Sequence, residues 1–146
     1  MVTEQRIREL IESGEAVDEQ DAEEAIREEA DAAVFRNVDR EVYRLELDQA
    51  LRDPQTPDPE RWALRFRKAV ADTGRTADEL EWLVYRLRHY LAEGKSADPT
   101  EQHRRESTRR RLEAKSAALK ERIGAERTQE LNELYWIRVQ ELFNEP

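Results

Sequence analysis

The stretch Thr76–Gly94, TADELEWLVYRLRHYLAEG, decides the fold. Thr76 followed by Glu79 is a capping box, in which each side chain satisfies a backbone N–H that a first helical turn leaves free. Gly94 stands where a left-handed C-terminal cap favours a residue without Cβ. Between them Leu80, Leu83, Val84, Leu87 and Leu91 recur at helical spacing and form one apolar stripe. Trp82, Tyr85 and His89 project from the opposite face. A helix with bulky side chains on both faces is covered on both sides, so what covers Trp82 becomes the functional question.

Upstream, Pro54, Pro57 and Pro59 make 53–58 the clearest break in the chain. Asp58 is the expected N-cap and Pro59 the first helical residue. The helix that follows sets Trp62, Phe66, Ala69 and Val70 on one face and closes at Gly74. With the opening stretch it packs as a central helical hairpin, or a corner, over 59–93, which holds five of the ten aromatic residues. The Trp62/Phe66 face is the expected partner of the leucine stripe.

Two long runs flank this hairpin. Asp18 caps a run over 19–52 whose apolar residues step by four: Ala22, Ile26, Ala30, Val34, Val38 and Val42. At ~100° per residue such a stripe drifts ~40° at each step. The run must therefore break near Asn37 or wrap around more than one partner. Val38, Val42 and Leu45 read as core, with Leu47 and Leu51 pointing elsewhere. Asp98, Pro99 and Glu101 start the second run, over 99–143, interrupted only by Gly124. Unbroken, these runs would span ~50 and ~68 Å at 1.5 Å per residue, against ~30 Å for a compact domain of this size. A short helix over Glu4–Ser13, capped by Thr3, precedes them. No strand pattern and no solenoid-length repeat occurs. The expectation is an all-α chain of about five helices, one domain over 1–146, elongated rather than compact.

Composition narrows the function. Leu, Ile, Val and Phe account for 30 of 146 residues, close to the ~20% below which highly charged chains fail to fold alone. The net charge of −9 is split. Residues 1–60 carry 19 acids and 7 bases, whereas 103–122 carry 8 bases and 3 acids. There is no cysteine, hence no disulfide framework or thiolate metal site. No apolar run resembles a signal peptide or a membrane span. A cytosolic or particle-bound protein, not a secreted one, is the expectation.

Three groups of residues are candidates for function. The basic segment HRRESTRRR (103–111) opens a stripe in which Arg104, Arg111, Lys115 and Arg122 fall within ~40° on a helix, able to follow a phosphate backbone or to pair with acids. The acidic arm within 1–31 contributes Glu19, Glu23, Glu24, Glu28 and Glu29 as a solvated face. Its i, i+4 carboxylates lack the Glu-x-x-His pattern of helical dimetal sites, and no cofactor is implied. Trp82, Tyr85 and His89, with Tyr135, Trp136, Leu142 and Phe143 of the last helix, form a candidate protein interface, being rich in hot-spot residue types. The two aromatic sets can also cover each other within one chain. No phosphate loop, nucleophile elbow or paired catalytic histidine appears.

The leading expectation is a non-enzymatic helical assembly or adaptor subunit that binds copies of itself or other protein subunits. A ring or particle component, such as a virion connector, suits the architecture. The alternatives are a nucleic-acid-associated protein using the arginine stripe, and an acidic regulator that occupies a basic partner surface.

Overall fold

The structure, a computed structural model, describes residues 3–145. The described residues are all-α and form seven helices rather than five. In chain order they are α1 (Glu4–Glu12), α2 (Glu19–Asn37), α3 (Arg40–Arg52), α4 (Asp58–Thr73), α5 (Ala77–Leu91), α6 (Pro99–Ile123) and α7 (Ala125–Asn144). The count rises because both long runs break where kinks were expected. Between α2 and α3 Val38 is extended, and the Asp39 carboxylate accepts the Glu41 and Val42 N–H groups as a new N-cap. Between α6 and α7 Gly124 adopts φ 101°, a backbone state that L side chains rarely reach. Nothing lies within 4 Å of a Cβ placed there, so the torsion, not crowding, selects glycine.

The helices fall into two groups of three. In one, α5 packs between α2 and α6; in the other, α4 packs between α3 and α7. α1 lies on α2. Of the hairpin or corner expected over 59–93, α4 and α5 touch over only a short length. There a Cβ on Gly74 would come within 2.6 Å of Leu80 Cδ2, and the helices diverge from that close approach. Phe66, Ala69 and Val70 nevertheless join Leu80, Leu83 and Val84 in the main core, together with Leu112, Leu119, Leu131, Tyr135, Val139 and Leu142.

Four N-caps follow the sequence. Thr3, Asp18, Thr76 and Asp98 accept the N–H groups of Arg6, Asp21, Glu79 and Thr100. Two other caps do not. α4 begins at Asp58 after Pro57, with no side-chain cap. α5 ends at Leu91, short of Gly94. Arg109 of α6 donates to the Ala92 and Glu93 carbonyls at 3.1 and 3.4 Å, so the helix end is satisfied without a left-handed glycine.

The core assignments in 19–52 reverse. Val42 and Leu45 are exposed, whereas Leu47 is buried beside Leu64 and Ala71, with Leu51 packed against them. The break at Val38 resets the phase of α3, so the four-residue stripe does not continue across it. Within α2, Val34 is also exposed. The buried row there is Asp21, Ala25, Glu28, Ala32 and Phe35, spaced 4-3-4-3 as a straight packing seam requires. Two of its positions carry carboxylates.

Candidate interaction surface

The carboxylates in the α2 seam meet the arginine stripe of α6. Arg111 donates from Nε and Nη2 to the two oxygens of Glu28, both at 2.8 Å, and from Nη1 to Asp21 at 3.2 Å. Nη1 also reaches the Glu15 carbonyl at 2.8 Å. Ser107 Oγ donates to Asp21 at 2.5 Å, and the Val17 N–H reaches the same carboxylate at 2.9 Å. The three charged side chains are 2% (Arg111), 1% (Asp21) and 0% (Glu28) exposed. Such burial is tolerable only because every charge is paired and multiply hydrogen-bonded. Burial acts to lower the Arg111 pKa, but Glu28 and Asp21 outweigh it and hold the guanidinium charged.

The rest of the stripe is likewise held within the chain. Arg104 Nε donates to Asp18 at 2.7 Å and Arg122 to Asp78 at 3.3 Å. Lys115 Nζ stands 5.4 Å from the centroid of the Tyr85 ring. Of the acidic arm, Glu24 pairs with Arg88 at 2.8 Å and Glu29 with Arg6 at 2.5 Å, while Arg88 also pairs with Asp31. Glu19 is exposed and Glu23 half-buried. The arm is therefore not a uniformly solvated face. At Asp18 burial acts to raise the carboxyl pKa, but the Asp21 N–H and Arg104 hold it below the ordinary range. Glu79 behaves similarly. Burial opposes ionisation there, and Arg127 of α7, donating at 2.9 Å, together with the Arg75 N–H keeps its pKa low.

The expected interface set divides. Trp82, Tyr85 and His89 are buried by the chain itself. Trp82 lines a groove with Glu113, Ser116 and Lys120 of α6 and Thr128 of α7. Tyr85 donates to Glu81 at 3.0 Å, and burial raises its phenol pKa. His89 Nε2 lies 2.9 Å from Glu113 of α6. The cover is thus chiefly α6 and α2, not Tyr135–Phe143, because the Gly124 turn sends α7 across to α4. There Phe143 packs against Trp62 and Phe66 at centroid distances of 6.2 and 5.3 Å. Tyr135 and Leu142 are core residues. Trp136 alone of this set is exposed, with its ring against exposed Tyr90 at 5.3 Å.

What remains outward is a face of α7. Glu126, Glu130, Glu133, Ile137, Glu141 and Asn144 are all exposed and lie within about 80° of arc at 3.6 residues per turn. Leu134 and Trp136 flank this arc and are 39% and 36% exposed, with Ile137 at 52%. Arg127 and Arg138 border the face but turn inward, to Glu79 and to Asp72 at 2.8 Å. The opposite face of α7 supplies Leu131, Tyr135, Val139 and Leu142 to the core. The outer arc is therefore acidic, and Leu134, Trp136 and Ile137 are the large apolar side chains that the helix leaves exposed.

Among the described residues, no helix is long and apolar enough to cross a membrane, and no three His, Cys, Asp or Glu side chains converge as metal ligands. No protein-family model, curated protein or solved structure matches the chain.

The buried lock was legible only in part. The stripe at Arg104, Arg111 and Arg122 and its pairing with acids follow from the sequence. Asp21 and Ser107 did not stand out; the 4-3-4-3 seam that includes Asp21 is the signal that would have found it.

Proposed function

We propose that the protein is a non-enzymatic helical adaptor or assembly subunit whose outward contact is made by α7. The observation that carries this reading is the exposure of three large apolar side chains on α7 around an acidic arc. One side fills the core, while Leu134, Trp136 and Ile137 remain at the surface. Exposed apolar side chains rimmed by polar residues mark contact sites, and Trp and Tyr are enriched where partners bind. The open shape supports the same reading. The accessible surface of 9078 Å² for 17.3 kDa exceeds the roughly 7,800 Å² of a compact monomer of that mass. The nucleic-acid and acidic-regulator alternatives have less support, because Arg104, Arg111 and Arg122 already bind carboxylates of their own chain.

Site-specific photo-crosslinking in the cells that make the protein tests this. A photoreactive residue at Ile137 should trap a discrete adduct, and one at exposed Arg67 should not. Equal adducts at both positions, or none at either, would remove the reading.

A further inference from the structure

Resting on the reading of α7 as the contact surface, we infer that its occupant is a basic amphipathic helix of another protein. Charge selects the sign. The exposed arc carries four carboxylates, Glu126, Glu130, Glu133 and Glu141, and no cation. Arg127 and Arg138 partly neutralise Glu130 and Glu141 at 2.8 and 3.1 Å, but Glu126 and Glu133 form no ion pair among the described residues. A partner with lysine or arginine flanking an apolar stripe would pair with these carboxylates at the rim and cover Leu134, Trp136 and Ile137 at the centre.

Shape selects a helix. Leu134, Ile137 and Glu141 follow i, i+3, i+7 and form a ridge of the kind that packs into the groove of another helix. The described residues include no strand whose edge could add an extended peptide. On the Trp136 side of the arc, away from Leu134, a cavity of about 220 Å³ opens between Tyr90, Tyr135 and Trp136, with Arg86 and Glu93 also lining it. That is below the ~300 Å³ typical of small-molecule sites and suits one anchoring side chain.

A second copy fits less well. An isologous contact would set these carboxylates against themselves. A head-to-tail contact on α6 would meet Arg110 and Lys120, but the apolar side chains exposed on that helix are only Ala114, Ala117 and Ala118. They offer no anchor for the cavity.

The test is calorimetric titration of the full chain with two 18-residue amphipathic peptides, one of leucine and lysine and one of leucine and glutamate. Light scattering of the protein alone runs in parallel. The lysine peptide should bind and the glutamate peptide should not. E126Q/E133Q should weaken binding about three- to tenfold, as expected for two rim charge pairs, and W136A/I137S should weaken it further. E19Q/E23Q, acids on α2 away from α7, should leave it unchanged. Equal weakening by E19Q/E23Q, or binding of neither peptide, overturns the inference. Equal binding of both peptides, or self-association lost in W136A/I137S, overturns the basic helix as occupant but leaves the adaptor reading standing. Absence of both binding and self-association, together with no selective crosslink at Ile137, removes both.

Discussion

Arg111 and Ile137 occupy opposite places for their chemistry. Arg111, the more polar, is buried on α6; Ile137, an aliphatic side chain, is 52% exposed on α7. The first helix group, α2–α5–α6, buries a complete set of charges. The second, α3–α4–α7, leaves Val42, Leu45, Trp62, Leu134, Trp136 and Ile137 at the surface. Neither arrangement maximises the stability of an isolated chain. A buried ion pair is weak evidence for stability, because desolvation offsets the attraction. It does fix register: only one alignment of α2 on α6 gives Asp21 and Glu28 their partner. The charged group is thus specified from within, while the second group presents surface to the outside.

The largest test of that contrast is Arg111→Ala. It strands two buried carboxylates and should cost about 3–5 kcal/mol in urea denaturation. Replacing Asp21, Glu28 and Arg111 together by leucine or methionine should cost far less, or stabilise. If Arg111→Ala costs under about 1 kcal/mol, the lock is solvated and the contrast fails. Next are two positions on one helix. Leu131→Ala should lose about 2–5 kcal/mol by leaving a cavity, whereas Ile137→Ala should stay within about 0.5 kcal/mol. Similar losses at both would mean that the outer face of α7 is already packed within the monomer. Gly124→Ala should cost about 1–2 kcal/mol through its positive φ, measured as a lowered denaturation midpoint.

The smallest expected effect is in pH dependence. Asp18 and Glu79 have folded pKa values below their unfolded ones. Their contribution is therefore fully present above about pH 5 and is lost as pH falls through roughly 4.3 and below, the ordinary carboxylate range. The melting temperature should be flat from neutral to about pH 5 and then decline. Glu79→Gln should make that decline shallower.

Helix type, most caps and both interruptions were readable from the chain, because they depend on nearby residues: Thr76 with Glu79, Asp18 before its helix, Gly124 between two periodic runs. The pairing of acidic and basic segments was also readable, since complementary charge is a property of composition. The packing direction of each helix was not. The leucine stripe of α5 and its Trp82 face have no local marker for which neighbour covers them. The aromatics of α7 read as a cover for Trp82, whereas Phe143 packs on Trp62 and Phe66.

The amino-acid sequence by itself determined an all-helical chain, its breaks and its division of charge, because hydrogen bonding within a turn and capping act over a few residues. Only the tertiary structure decided that α6 covers Trp82, that α4 and α5 part at Gly74, and that Asp21 and Glu28 are buried rather than solvated. The reason lies in phase. A change in helix direction at Val38 or Gly124 rotates every later side chain, so a residue's surroundings depend on how whole helices are aligned. The same rotation leaves one face of Thr76–Gly94 on α2 and the other on α6, and leaves Leu134, Trp136 and Ile137 of α7 at the surface.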